Sequence, residues 1–533
     1  MDSQKWTVRG ENVNVTSLRF LKNRQDSLLF IAVFLAALIV APLLIVVGLR
    51  GSFGTTLGLT VVLVVALLVI YRPKIGLFLV VICTVLIEQE PLSIHILTDR
   101  LFVYYWPPSL AGLADRPIGF LFLLTLFALM CHRFVKRERV LSGGELLWPF
   151  LCLLGCVGFE VVNGLATGGD FKTIILEVRP FWYLFITYLL AYNLFDRKSE
   201  VRLFFWLVVI GAGIKGLQGS YIYFIALHRD LSGQNEIMAH EESFFFAALI
   251  LLILIFLMHE KYRPQLYTAL AVLFFVFVAI GANDRRTDYV ALLVGLLVTW
   301  TLVYQVKREA RRSLVTGLIL VLVLGGAYVA IFSHISGPLA SPARSIISIV
   351  HPTDARDANS NLYRTIEDFD LKFTARQSFP LGFGFGKEFL QPQILPNILS
   401  EDPVYLLIPH NTIYWVWMRL GAIGFAVFWY IIGSVIVRGC LIVRQLRDRY
   451  LRTAAIYIVS VIFMEIVVAY ADYQLYAFRN VIYLGLLIGL LLRLPALDAK
   501  TAPEEQVRKA TSQKPARVKA LAPLELLETQ ARK

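Results

Sequence analysis

Apolar runs recur along the whole chain and are separated by short polar connections. Runs of about 20 residues are long enough to cross the hydrocarbon core of a bilayer as α-helices. The pattern therefore predicts an all-α, polytopic membrane protein with about 14 spans. The predicted spans are 28–49, 54–70, 75–87, 117–134, 146–163, 174–195, 201–227, 243–258, 265–281, 289–305, 314–333, 411–437, 453–471 and 480–494.

Polar segments divide the chain into five parts. A basic arm at 1–27 precedes transmembrane helices 1–11 at 28–333, and a large loop fills 334–410. Transmembrane helices 12–14 follow at 411–494, and a tail rich in Pro, Lys and Glu at 495–533 predicts disorder. The loop is the longest polar interval of the chain, and loops longer than about 15 residues are usually functional or disordered.

The composition supports the prediction of a membrane protein and affects how the net charge is interpreted. Only 17% of the residues are charged and the mean hydropathy is +0.67, whereas soluble domains carry about 25% charged residues. The net charge of +13 does not predict a nucleic-acid partner here, because Lys and Arg concentrate in alternate connections. By the positive-inside rule, both termini are predicted to be cytoplasmic and the large loop to lie outside.

One connection on the predicted outer side carries two arginines against this charge bias. Arg285 and Arg286 lie between the spans at 265–281 and 289–305. A guanidinium is always charged and binds phosphate through two parallel hydrogen bonds. The alternative is an interfacial pair that Asp284 and Asp288 balance.

Two further basic residues lie within predicted spans, where a charge is costly and needs a partner or a cavity. Arg179 is near the outer end of the sixth span, where it predicts either an anion ligand or an ion pair with Glu177 or with another span. Lys215 is interpreted as a satisfied internal charge, paired with Glu160 or Glu465, and is left outside the site.

His410 is the best candidate for a general base. Its unperturbed pKa lies near working pH, and it stands where the loop re-enters the membrane. Asn411 is expected to hold the imidazole in one orientation, and Glu367 and Asp368 are the next bases to test. The other histidines of the predicted outer side have no comparable setting: His95, His228, His240, His334 and His351.

The glycine string at 381–386 predicts a packing turn rather than a phosphate loop. Aromatic residues alternate with the glycines, and no Lys-Ser or Lys-Thr follows. The sequence also lacks a serine nucleophile elbow and any spacing typical of a zinc site. The five cysteines form no disulfide framework.

Several motifs together resemble the bacterial O-antigen ligase and O-antigen polymerase family. Pro409–Tyr414, followed by Leu420–Gly424, is similar to its histidine-asparagine and glycine-rich helix motif. Phe379–Gly386 resembles its Pro-x-x-Gly-x-Gly segment, and Arg364 matches the arginine upstream of it. Arg286–Leu292 resembles its arginine at the start of a span. The resemblance covers residues from about 280 to 440.

The resemblance implies a metal-independent glycosyltransferase without a cofactor. Such enzymes move a glycan from an undecaprenyl diphosphate carrier to a saccharide or lipid A-core acceptor, at the outer face of the inner membrane. It implies that Arg286 and Arg179, with Arg285 and Arg364, bind the donor diphosphate. It also implies that His410 assists the acceptor hydroxyl.

The sequence departs from the family at Arg419, where many members have a glutamate two residues before the first glycine of the helix motif. Two other classes stay open at this point: a transporter or flippase for lipid-linked glycans, and an assembly component of the envelope. Transporters often show internal repeats and charges near mid-membrane. Here no repeat is evident, and the charges cluster on the predicted outer side.

Overall fold

The computed structural model describes residues 7–8, 11–12, 53–88, 98, 116–231, 236–259, 263–335, 340–348, 351–352, 355–395 and 406–512. The predicted span at 28–49 lies outside the described residues. The described part is helical, apart from an antiparallel pair of two-residue strands at Thr7–Val8 and Glu11–Asn12. The all-α prediction is therefore confirmed.

Fifteen α-helices occur among the described residues. They are α1 Phe53–Tyr71, α2 Pro73–Leu86, α3 Pro117–Val135, α4 Leu147–Ala166, α5 Phe171–Leu194, α6 Lys198–Tyr221, α7 His240–His259, α8 Arg263–Asn283, α9 Arg286–Val306, α10 Arg311–Phe332, α11 Ser341–Ser348, α12 Ala355–Gln377, α13 Thr412–Gln445, α14 Arg449–Ala471 and α15 Phe478–Ser512. A π-helical turn at Ile222–Ala226 extends α6, and 3-10 turns at Gly144–Leu146 and Arg308–Ala310 precede α4 and α10.

Helix starts follow local sequence chemistry. Pro73 and Pro117 occupy the first positions of α2 and α3, where a missing N–H costs nothing. Asp170 caps α5 by accepting from Thr173 N at 2.8 Å, and Asp448 caps α14 in the same way. The predicted spans among the described residues coincide with helices to within a few residues, except at the ends of α13 and α15, which continue further.

Ten of the described helices are long and apolar enough to cross a membrane, by length and composition. This supports a multi-pass membrane protein, while the total of 14 spans stays a prediction. Helices α5, α7, α14 and α15 bury most of their surface and form the core, whereas α10 buries almost none. A helix that is apolar all round and unburied by protein is suited to contact with lipid.

The large loop contains two helices, α11 and α12, which lie against the ends of α9, α10 and α13. We call the membrane side that carries them the loop face. Helix α13 begins at Thr412, directly after His410 and Asn411 on the loop face, and ends at Gln445 on the opposite face. The loop therefore covers the ends of the spans rather than extending away from them.

Two sequence predictions need correction. The tail was predicted to be disordered from residue 495, but α15 continues to Ser512, because its Ala, Glu, Lys and Arg residues are good helix formers. Lys215 pairs with Glu88 and Glu242, and not with Glu160 or Glu465.

Candidate active site

The glycine-rich segment is anchored inside the helix bundle by Arg419. The Arg419 side chain is fully buried in α13, and its Nη2 lies 2.5 Å from Glu177 Oε1 of α5. The same guanidinium donates to the carbonyls of Gly384 at 2.9 Å and Lys387 at 2.7 Å, and to that of Leu407 at 3.2 Å. The basic residue that departs from the family pattern therefore fixes two parts of the loop to the spans.

The backbone of this segment is equally well held. Gly386 N–H donates to Glu177 Oε2 at 2.5 Å, and Gly382 N–H donates to Glu160 Oε1 at 2.9 Å. A Cβ on Gly382 would lie 2.0 Å from the carbonyl oxygen of Arg419, so no side chain fits there. The glycine string packs onto the helices, as the sequence predicted, and its N–H groups are used by protein carboxylates.

The paired acids of α12 face the paired His410-Asn411 at the start of α13. His410 N–H donates to Glu367 Oε2 at 3.0 Å, and its imidazole Nδ1 lies 3.2 Å from Glu367 Oε1. The ring of Tyr363 meets the imidazole edge-on, with 5.5 Å between centroids. Glu367 is fully buried, whereas 16% of the His410 side chain is exposed. The carboxyl group of Glu367 thus contacts both the backbone N–H and the imidazole ring of His410.

Asn411 caps α13 and contacts the second acid of the pair in α12. Its Nδ2 donates to Asp368 Oδ1 at 3.0 Å, and its Oδ1 accepts from Tyr414 N–H at 3.2 Å as the cap of α13. Burial raises the pKa of Asp368 to about 6, although the hydrogen bond from Asn411 opposes the shift. Glu367 contacts the imidazole of His410, and the orienting role of Asn411 stays a prediction.

His240, which the sequence analysis left outside the site, belongs to it. Its Nε2 lies 2.8 Å from Glu236 Oε2, and its Nδ1 lies 3.3 Å from Asp472 Oδ2. Glu236 also pairs with Arg285, and the Tyr473 ring packs on the imidazole at 5.4 Å. Three connections that are distant in sequence meet at this histidine.

Asp472 links His240 to the remainder of the site electrostatically. Burial raises the pKa of Asp472, but His240, Arg285 and His410 outweigh it and hold that pKa well below its usual range. Asp472 is therefore ionised at physiological pH. His240 shares one feature with His410, a position at the start of a span on the loop face, and this was the available sequence signal.

Three of the arginines predicted to bind the diphosphate lie at two places on the loop face: Arg285 and Arg364 at one, and Arg286 at the other. We call the group formed by His410, Glu367, His240, Glu236, Arg285 and Asp472 the histidine network. Arg364 of α12 interacts electrostatically with both Arg285 and Asp368, so it lies within this network. Arg286 starts α9 and bonds to Ser348 Oγ at 3.2 Å, and it lies 3.5 Å from an oxygen of Asp357.

Arg179 lies in α5 and is 7% exposed. Two residues further, Phe181 stacks on Trp415 of α13, with 5.6 Å between centroids and 15° between planes. Arg179 is therefore at the level of the first turns of α13. Its predicted partner Glu177 pairs with Arg419 instead.

Comparison with known proteins agrees with the motifs. Residues 270–429 match the family model described as O-antigen ligase. A comparison with curated proteins finds no match to the chain. The matched range includes Arg285, Arg286, α12, the glycine-rich segment and His410, and leaves out Arg179, His240 and Asp472.

The family supports glycan transfer by a membrane-embedded, glycosyltransferase-type enzyme that uses lipid-linked glycans. Within the described residues, no group of His, Cys, Asp and Glu is arranged to hold a metal ion. The polar groups gathered on the loop face are instead arginines, histidines and carboxylates. Residues 270–429 thus resemble the O-antigen ligase family, as the motifs of the chain predicted.

Proposed function

We propose that the protein transfers a glycan from an undecaprenyl diphosphate carrier to a hydroxyl of a saccharide or lipid A-core acceptor, at the outer face of the bacterial inner membrane. The observation that carries the proposal is the contact between His410 and the buried Glu367, beside the arginines of the loop face. The positive-inside distribution of Lys and Arg supports the outer location and cytoplasmic termini.

His410 acts as the general base, and Glu367 positions it. The Glu367 carboxyl group accepts the Nδ1–H of His410, so Nε2 presents its lone pair on the opposite edge of the ring. Nε2 takes the proton of the acceptor hydroxyl while the oxygen of that hydroxyl bonds to the anomeric carbon of the donor glycan. The bond from that carbon to the diphosphate oxygen breaks, and the carrier diphosphate leaves with the electron pair.

Arginines supply the charge that the leaving diphosphate needs. The donor diphosphate is bound from the loop side by Arg285, Arg286 and Arg364, and from α5 by Arg179. Guanidinium groups in a partly buried site stabilise developing negative charge strongly, because water competes poorly there. We therefore propose a metal-independent reaction, whose rate in purified protein survives EDTA.

The chemical test replaces His410 by Ala and Glu367 by Gln in the full-length protein. General-base assistance contributes about 10²–10⁴-fold, so His410→Ala should slow transfer by that factor while donor binding persists. Glu367→Gln should slow transfer less and change its pH profile, because the amide cannot stabilise an imidazolium as a carboxylate does. Transfer by His410→Ala at the wild-type rate would contradict the assignment.

The location is tested separately by cysteine labelling in a cysteine-free background. Ser360→Cys in α12 should react with an impermeant thiol reagent in intact cells. Ser199→Cys, at the opposite ends of the spans, should react only after lysis. The reverse pattern would invert the proposed orientation.

A further inference from the structure

The membrane face opposite His410 contains a large cavity of about 1040 Å³. It lies among the ends of α3 and α5, the starts of α2 and α6, and the later part of α15. Helix α15 begins at Phe478 near the loop face and reaches Arg493 in the cavity after roughly 22 Å, at 1.5 Å per residue. The cavity is therefore separate from the proposed catalytic site.

Basic side chains dominate the lining of this cavity. Three buried leucines also border it: Leu129, Leu194 and Leu497. Two acidic residues, Glu138 and Asp196, contribute to the lining. The basic residues of the lining are Lys74, Arg133, Lys136, Arg197, Lys198, Arg202, Arg493 and Lys500.

Ion pairs within the protein neutralise only part of this charge. Asp196 lies 3.2 Å from Lys74 and 3.1 Å from Arg493, and Lys198 pairs with Asp448. Within the described part of the chain, four lining cations form no ion pair: Arg133, Lys136, Arg197 and Lys500. An anion that enters the cavity therefore meets uncompensated positive charge.

One basic side chain of the cavity, that of Arg133, is held in a fixed position by hydrogen bonds. Its Nη1 donates to Asn193 Oδ1 at 2.5 Å, and its Nη2 donates to Asn193 O at 2.9 Å. The amide of the buried Asn193 is itself fixed by Ser142 O and Leu189 O. A neutral partner thus holds the guanidinium in place and leaves its full charge for a ligand.

We propose that this cavity binds the phosphate of an anionic phospholipid headgroup. Guanidinium groups match phosphate geometry, and basic pockets between transmembrane helices are suited to anionic headgroups. The positive-inside rule accounts for basic connections. The Arg493 side chain is held in place from within α15, because its guanidinium donates to Phe195 O at 3.0 Å and to Asp196 Oδ1 at 3.1 Å.

Native mass spectrometry of the full-length protein tests the proposal. The protein is titrated with phosphatidylglycerol and, separately, with phosphatidylcholine of the same acyl chains. The double variant Lys136→Gln/Arg197→Gln removes two exposed cations that have no ion pair to lose. If each contributes as a typical basic residue near anionic lipid, phosphatidylglycerol binding should weaken roughly 30-fold. Arg133→Gln should also weaken it.

The matched control is Arg137→Gln/Arg139→Gln, which removes the same charge from exposed residues beside Lys136 that do not line the cavity. The control should bind phosphatidylglycerol within about twofold of the wild type. An equal loss in both double variants, equal binding of both lipids, or displacement of the lipid by excess soluble glycerol phosphate would overturn the proposal. Lipid occupancy is read without the transfer reaction, so this result is independent of the proposed function.

Discussion

The loop is held to the membrane helices at two regions that use the same residue types in opposite ways. In the anchor around Arg419, the guanidinium and the Glu177 carboxylate are fully buried, and backbone groups of the glycine-rich segment surround them. In the histidine network, the side chains of His410 and Arg285 keep 16% and 24% of their surface exposed, and that of Arg286, at the start of α9, keeps 15%.

This difference in burial separates residues that hold the fold together from residues that can contact a ligand. A buried charge is tolerated when it has partners inside the protein, and the two buried charges of the anchor pair with each other. A partly exposed charge retains hydrogen-bonding capacity toward solvent and toward a ligand that displaces solvent. The anchor should therefore control folding, and the network should control turnover.

The largest effect is expected from Arg419→Gln. Removing one partner of a buried ion pair costs about 3–5 kcal/mol, because Glu177 is left buried and uncompensated. Monodisperse protein after solubilisation should be largely lost. Arg438→Gln, in the same helix but in an exposed pair with Glu145, should behave like the wild type. Equal yields for both variants would remove Arg419 from the anchor.

Arg286→Lys should reduce transfer by about 10- to 100-fold while the protein stays folded. Lysine keeps the charge but loses the guanidinium fork, and hydrogen bonds to charged groups contribute about 1.5–3 kcal/mol. Transfer and thermal unfolding are measured together, with Arg438→Lys as the control. A lower unfolding temperature at full transfer rate would instead make Arg286 a link from α9 to α11 and α12.

Gly382→Ala should destabilise the anchor by about 1–3 kcal/mol, the usual cost of overpacking. The new methyl group would collide with the carbonyl of Arg419. Gly433→Ala, in the same helix as Arg419, places its methyl group in open space and serves as the control. Thermal unfolding of both variants decides the matter, and equal midpoints would show that the segment is loosely held.

The smallest effect concerns Asp368→Asn and its pH dependence. The pKa of Asp368 is raised by burial to about 6, so its contribution to stability is present at low pH and is lost as pH rises through about 6. The asparagine variant should unfold about 1–2 °C higher than the wild type at pH 7.5, with no advantage at pH 4. A variant that is less stable at pH 7.5 would show that the charged carboxylate is needed by Asn411.

The sequence by itself determined the helical membrane class, the position of nearly every described span and the motifs of residues 270–429. These properties are local: an apolar run of sufficient length must become a helix in lipid, and a proline or a capping residue fixes its start. Arg285, Arg286 and His410 were also singled out from the sequence, because polar residues at span ends are conspicuous, and Arg364 was singled out by its match to a family motif.

The tertiary structure alone decided which of these groups meet. Glu367 contacts His410 from another helix, and His240 reaches Asp472 although 232 positions separate them in the sequence. Arg419 turned out to satisfy Glu177, the partner that the sequence offered to Arg179. Partner choice depends on helix packing and on the need to neutralise each buried charge, and neither can be read from the spacing of residues along one chain.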